Sequence, residues 1–525
     1  MSGPVEEIRK VETGLPLAHG GKRRWYDTLA KNSAANMVRL GMTSLVGILL
    51  PAYLTKHLPL QTYSAWVLIL QLGAYVGYLD FGVQTAVSKY VAEYEAKRDL
   101  EGCGRSASAG LLIMLMAGGS GVLMTLGLAW RVPELFRNIP AALLSGVRIS
   151  VLFVGISLCV TLVVSVFSAI FLGLQRYRVT MMTAIISRLL YAAVLCVAVY
   201  LHSSLPAMAA SVAIANLIGA MLQVIVWREL ASHIKVSLHS IDMTMLKQML
   251  EYCAVMTVWS VCMLFISGID ITIVGRYDFG EVGYYSIASA PTSLILSLIG
   301  ALMGPLLPAT SALSVESSPE QLGGLLLKAT RYVVIFLLVT GLPILLWGHF
   351  LLKIWVGSSY AIHSVQYLRI LLIANVLRNF CGPYATMVVA TSNQRLATAS
   401  GIVEGVVNLV SSILLARHYG AWGVAFGTLI GSVAGLTMHF AVSMRYTRKA
   451  LDISRMELLT KGLAKPAILA IPAILLVPYW WGNGAGAMSG PMTVFWIVST
   501  LCLGWFVSVA ADDRKKIISR LREAR

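Results

Sequence analysis

Apolar stretches of about 20 residues follow one another along almost the whole chain, and a helix of that length crosses a hydrocarbon layer of about 30 Å. We count fourteen, running approximately over 33–54, 61–82, 106–130, 148–172, 180–201, 206–227, 252–275, 283–308, 327–354, 364–390, 397–417, 421–444, 462–481 and 491–511. Hydrophobic residues make up 57% of the 525 and charged residues only 12%, against about 25% charged in a soluble protein. The expected fold class is therefore an all-α integral membrane protein with about fourteen transmembrane helices.

The opening stretch, residues 32–101, sets the pattern. Two apolar helices, 33–54 and 61–81, meet at a turn of about six residues around Pro59. A third helix, 84–101, has Val87, Tyr90, Val91 and Tyr94 on one face and Lys89, Glu93, Lys97 and Arg98 on the other. Glu93 and Lys97 stand four apart in the favourable order for an ion pair. That pattern suits a helix lying on a membrane surface. Asp80, between the second span and this helix, is expected to tie the two together. The Asp-Phe-Gly it begins is no kinase motif, because no other kinase element accompanies it.

The first half echoes in the second. LTKHLPLQTYSAW is matched by IVGRYDFGEVGYYSIA, each with a basic residue (Lys56, Arg276) before a short turn and aromatics opening the next helix. GLQRYRVT is matched by TSNQRLAT. Both offsets are about 220 residues, which predicts parallel copies of six spans related by an axis along the membrane normal. The expected organisation is a segment over 1–31, an N-lobe over 32–227, a connector over 228–251 and a C-lobe over 252–445. Two further spans over 446–511 and a basic tail over 512–525 complete it.

An even number of spans puts both termini on one side. With the N-terminus in the cytoplasm, roughly 30 of the 41 Lys and Arg fall in cytoplasmic segments, among them Lys22, Arg23, Arg24, Arg176, Arg178, Arg445, Arg448 and Lys449. The net charge of +17 then records topology and contact with anionic lipids rather than nucleic acid. Residues 1–31 lack the apolar core of a signal peptide. HGGKRR lacks the spaced glycine and the Ser or Thr of a phosphate loop, so no ATPase is expected. Six of the seven cysteines lie in spans and none in an external loop, which predicts neither a disulfide nor a metal site. The longest external loop, 131–147, has about 17 residues, too few for a folded domain. A membrane-embedded polymerase or ligase, which needs an external catalytic region, is disfavoured on that ground.

LTKHLPLQTYSAW followed by YLDFGVQTAVSKYVAEY resembles the opening of the Wzx-type polysaccharide flippases. ISGIDITIVGRYDFGEVGYYSIASA and NLVSSILLARHYGAWGVAFGTLIGS fit the same family, and the likeness covers roughly residues 30–445. Lys56, His57 and Pro59 stand where an Arg and a Gly are commoner, so the subfamily is less defined than the multidrug/oligosaccharidyl-lipid/polysaccharide exporter superfamily around it. The resemblance implies two six-helix lobes around a central cavity, working by alternating access. It implies a lipid-linked (undecaprenyl-pyrophosphate) oligosaccharide as substrate and a bacterial inner-membrane location. A polysaccharide polymerase and chain-length machinery are implied partners, alongside membrane lipids. No cofactor is expected beyond coupling to H+ or Na+, and a cation-coupled small-molecule extruder of the same superfamily is the alternative.

A charge within a span costs about 2.5–3.5 kcal/mol, so each requires a reason. Arg39, Arg188 and Arg378 are the candidates for the diphosphate and anionic sugars, because a guanidinium fork suits phosphate oxygens. Snorkelling explains Arg39 equally well and Arg369 better. Arg188 and Arg378 lie deeper, and their alternative is a structural pair with Glu404 or Asp270. Asp270 and Glu404 are the coupling-ion candidates, since a carboxylate in a dry cavity takes up a proton or sodium; each equally suits an arginine partner. Gly423, Gly427, Gly431 and Gly435 recur every fourth residue and predict close helix packing. Tyr75, Tyr78, Trp259 and Tyr384 are candidates for stacking on sugars.

Overall fold

Inside a bilayer no water satisfies backbone N–H and C=O groups, and a helix meets that demand within one segment. The computed structural model describes residues 19–237, 241–304, 306–316, 318–391, 394–475 and 490–504, and every regular element among them is helical. Among the described residues, twelve helical segments are long and apolar enough to cross a membrane.

The first half runs α1 (His19–His57), α2 (Leu60–Tyr78), α3 (Val83–Ala96), α4 (Leu100–Leu135), α5 (Ala141–Gly173), α6 (Tyr177–Tyr200) and α7 (Leu205–Ala231). The second half runs α8 (Met243–Met263), a π-helical turn (Leu264–Gly268), α9 (Asp270–Tyr277), α10 (Val282–Met303), α11 (Leu306–Glu316), α12 (Pro319–Val356), α13 (Ser358–Phe380), α14 (Gly382–Ala390) and α15 (Gln394–Met438). The amphipathic α16 (Met444–Leu451), the segment Arg455–Leu475 and α17 (Gly490–Leu503) follow. Both halves therefore place a short helix, α3 or α11, after their second span.

Several expected boundaries move for local reasons. Only Leu58 and Pro59 separate α1 from α2. The surface helix ends before Lys97, because Arg98 turns left-handed (φ 57°) and Asp99 caps α4 by accepting from the Gly102 N–H at 2.8 Å. Lys97 still reaches Glu93 at 2.8 Å. The expected external loop 131–147 is mostly helix: α4 continues to Leu135, with Arg131 paired to Glu134 at 3.0 Å, and α5 starts at Ala141. The seventh span breaks at the π turn, and the tenth breaks at Cys381 between α13 and α14. Segments 397–417 and 421–444 form one hairpin, turned at Gly420 (φ 54°, ψ −134°). The last two expected spans lie partly outside the described residues.

The glycine ridge explains that hairpin. A Cβ at Gly423 would meet the backbone of Leu415, and one at Gly427 would lie 2.6 Å from Ser412 Cα. One at Gly431 would lie 2.6 Å from Asn408 Cβ, and one at Gly435 2.7 Å from Glu404 Oε2. Four glycines on one limb thus face Leu415, Ser412, Asn408 and Glu404 on the other, and the limbs approach without a side chain between them.

Chain alternation defines two faces: proximal, where α1 begins, and distal, where the turns at Leu58, Leu201, Asp278 and Gly420 lie. At the distal face one apolar core runs through both halves, joining Leu50, Tyr63 and Trp66 to Val282, Tyr285 and Tyr360. At the proximal face the cores are separate. One gathers Val87, Met114 and Ile170, the other Leu326, Tyr384 and Met444. The halves share one core distally; proximally the start of α8 joins the first-half core, and the rest of the second half has a core of its own.

Gly427→Val should force the hairpin limbs apart and destabilise the protein by about 1–3 kcal/mol, read as a lower thermal midpoint. Gly77→Ala, where a Cβ meets nothing within 4 Å, should leave that midpoint unchanged.

Candidate functional site: a buried charge cluster beside a broken helix

The π turn creates the site. A π turn lengthens the hydrogen-bond step and leaves carbonyls without a helical donor. Asn408, on the first limb of α15, donates to Phe265 O at 2.9 Å and Ile266 O at 2.8 Å, while Ser412 Oγ donates to Asn408 Oδ1 at 3.1 Å. Gln71 of α2 donates to Gly268 O from the other half. Helix α9 then starts at Asp270, so its carboxylate sits in the first turn, where the helix dipole favours negative charge.

Asp270 is 7% exposed. Its Oδ2 accepts from Thr428 Oγ1 at 3.2 Å and, at the long distance of 3.5 Å, from the Tyr285 hydroxyl. Its Oδ1 is buried and has no hydrogen-bond partner among the described residues. Nearby, Arg378 in the last turn of α13 donates from Nε to Glu404 Oε1 and from Nη1 to Asn375 Oδ1 at 3.3 Å. The two charged side chains are 15% and 10% exposed, and Nη2 of Arg378 is buried without an acceptor among the described residues. Arg378 also acts electrostatically on Asp270. When all three are ionised, two carboxylates face one guanidinium, which leaves the cluster one negative charge in excess.

The arginine candidates are thus not equivalent. Arg378 is ion-paired with Glu404, the structural alternative that the sequence left open. Arg188 lies in the first half on α6, with its guanidinium carbon 5.1 Å from the centroid of the Tyr191 ring. Its Nε is buried without a hydrogen-bond partner among the described residues. Arg39 is half-buried on α1, and Arg369 half-buried on α13. Asp80 accepts the Gln84 N–H at 3.4 Å at the start of α3, within the link between the second span and the surface helix.

The aromatic candidates also divide. Tyr384 is 1% exposed and its hydroxyl bonds Thr447 Oγ1 at 2.7 Å, so its ring is not available to a sugar. Tyr75 bonds Thr272, and Tyr78 packs on Gly268, where both close the seam between the halves. Trp259 is 45% exposed. A pocket of about 500 Å³ at the distal face is lined by His57, Pro59, Thr62, His202 and Ser204, and none of the intramembrane charges lines it.

Sequence reasoning passed over Asn408, Ser412, Thr428, Asn375 and Gln71. A signal existed: Glu404, Asn408 and Ser412 form a polar stripe of period four, opposite the glycines of period four. Among the described residues, no group of three or more His, Cys, Asp or Glu is placed to hold a metal.

Residues 29–314, more than half the chain, match the family described as polysaccharide biosynthesis proteins. Among solved structures, the lipid II flippase MurJ in an inward closed conformation is similar over 94% of this chain and 99% of its own, at 13% identity and a TM-score of 0.62. A multidrug resistance MATE family transporter of the MOP superfamily, in its inward-facing conformation, is similar over 79% of this chain and 98% of its own, at 18% identity and a TM-score of 0.60. A MOP superfamily transporter from Pyrococcus furiosus, whose binding pocket is described as reversed in polarity, covers 81% and 96% at 17% identity and 0.58. At such identities these likenesses establish the fold alone. No curated protein matches the sequence.

Removing one member of a buried ion pair strands the other at a cost of about 3–5 kcal/mol. Arg378→Ala should therefore lower the thermal midpoint sharply, and adding Glu404→Gln should recover more than half of the loss. Equal midpoints for the single and double variants would contradict the pairing.

Proposed function

We propose a function from one premise: the chain belongs to the polysaccharide biosynthesis protein family. In our reading it is a flippase that carries a lipid-linked oligosaccharide, held on undecaprenyl pyrophosphate, from the cytoplasmic to the outer leaflet of a bacterial inner membrane. The observation that carries this is the joining of that family to a fold whose halves share one core at the distal face and, α8 apart, keep separate cores at the proximal face. A sugar head and a diphosphate cannot cross hydrocarbon unaided, and a cleft that opens alternately to either side gives them a wet path. With the proximal face cytoplasmic, as the placement of Lys and Arg favours, the face on which the halves keep largely separate cores is turned toward the leaflet on which the substrate is made.

In this reading Arg188 meets the diphosphate, because its guanidinium carries a donor not spent on a protein partner. Arg39 adds positive charge on the same half. Arg378 serves the coupling site instead. The excess negative charge of Asp270, Glu404 and Arg378 is neutralised by taking up H+ or Na+, with the open Oδ1 of Asp270, Thr428 and Tyr285 around the ion. A polymerase and chain-length machinery would receive the product at the outer face.

A cation-coupled small-molecule extruder is the second reading. It gains from the same observation that removes Arg378 from the substrate, since an acidic excess suits a cationic cargo. A polymerase or ligase gains nothing, because the longest loop between spans on the distal face that lies among the described residues is 136–140.

Depleting the protein should make one polyprenyl-pyrophosphate glycan accumulate on the cytoplasmic leaflet, read by mass spectrometry with a leaflet-selective label. Wild-type protein should clear it and Arg188→Ala should not, at equal protein levels. Asp270→Asn should make clearance indifferent to the H+ and Na+ gradients. Unchanged glycan pools with intact surface polysaccharide would move the assignment to the extruder.

A further inference from the structure

By sequence, the second half begins at the connector over 228–251. Packing places a mechanical boundary elsewhere. Ile234 of the connector is fully buried in the proximal core of the first half, together with Met245, Met249 and Cys253 of α8. The Ser237 N–H donates to Ser108 Oγ at 3.0 Å, and Lys235 O lies 2.7 Å from where a Cβ at Gly104 would stand. Met245 Sδ takes the Ser106 hydroxyl at 3.7 Å. Lys89 on α3 stands 4.9 Å and 5.0 Å from the ring centroids of Tyr90 and of Tyr252 on α8. Met256 fills the space over Gly82. The proximal two-thirds of α8 is thus clamped to the first half.

Beyond the π turn the partners change. Asp270 and its neighbours Ile273 and Val274 are buried, and Asp270 is held by Thr428 and Tyr285 of the second half. The carbonyls of the turn are divided between the halves: Phe265 and Ile266 go to Asn408, Gly268 to Gln71. This is the one interruption in the span, and it falls between a segment clamped to the first half and one, α9, that is held by the second half and meets the first across the distal seam, through Thr272 on Tyr75, Arg276 on Leu135 O and Asn138 on Tyr277 O.

We propose that α8 is carried by the first half, that Leu264–Gly268 is the flexure about which the halves move, and that Asn408 and Gln71 are the positioning residues holding it. This rests on the alternating-access reading above. A helix without a break at this place would have to unpack from one half or bend wherever it is weakest. The π turn supplies a place to bend whose carbonyls are already bonded from outside the helix, so bending exposes no new polar group to hydrocarbon. The contact that must then open is the one between the end of α8 and α15, where Cys262 faces Gly401.

That contact supplies the test. A Cβ at residue 401 would lie 3.8 Å from Cys262 Cβ, within the range of about 3.5–4.5 Å that a disulfide needs. Gly401→Cys in membrane vesicles should cross-link to Cys262 on oxidation, reduce movement of the lipid-linked glycan at least tenfold, and regain it with reductant. Lys89→Cys with Tyr252→Cys, joined by a short bis-thiol reagent, should keep movement within twofold of the unlinked protein. Tolerance of the 262–401 link, or a block by the 89–252 link, would overturn the proposal. Spin labels supply a second readout that needs no substrate. The 89–252 distance should be single, whereas a pair at 252 and 401 should show two distances. A single 252–401 distance beside a divided 89–252 distance would also overturn it. Absence of glycan movement in the reduced, unlinked proteins would count against the flippase reading, with the spin-label result still deciding the flexure.

Discussion

A backbone carbonyl left without a donor in hydrocarbon costs several kcal/mol, and the layout of this protein follows from avoiding that cost wherever a helix departs from regularity. At the π turn, Asn408 and Gln71 bring side-chain amides to the freed carbonyls. In α1, close to Pro51, the Trp355 indole donates to Ile48 O at 2.7 Å from the other half. At the distal corner of the hairpin, Asp278 accepts the Ala421 N–H at 3.3 Å. Each repair crosses between elements distant in sequence, and two of them cross between the halves. The irregularities are therefore also the places where the halves are tied.

The charge cluster obeys the same economy. Arg378 and Glu404 neutralise each other, Gly435 leaves room for the Glu404 carboxylate, and Asn375 takes a further guanidinium N–H. Asp270 is the member left in excess, with one oxygen unbonded. Its position at the first residue of α9 ties it to the break in the helix. A cation bound there would change the electrostatics within one turn of the flexure, which gives a physical route from ion binding to movement of the halves.

Much of this was legible in the residues. Span length and the absence of charge determine an all-helical membrane fold, and the four-residue glycine period anticipates the close hairpin. The order of two spans and a surface helix also reappears in α8 to α11. The break in the seventh span was hidden, because Leu264–Gly268 reads as ordinary apolar sequence and the asparagine that bonds its carbonyls lies about 140 residues away. The pairing of Arg378 could only be offered as an alternative, since sequence spacing carries no information on contacts between helices. The loop expected over 131–147 failed for a plain reason. Arg131 and Glu134 pair along one more turn of helix, so the span continues past its apolar stretch.

Alternating access in this fold requires the seam joining the halves at the distal face to open as their proximal ends approach each other. Double electron–electron resonance on spin labels at Gln61→Cys and Gly280→Cys across the distal face, and at Arg178→Cys and Arg395→Cys across the proximal face, tests it directly in nanodiscs with the exposed Cys502 replaced. The account predicts two populations whose distances change in opposite directions, distal short with proximal long and the reverse, with their ratio shifted by pH or Na+. A single pair of distances under every condition, or both distances lengthening together, would contradict it.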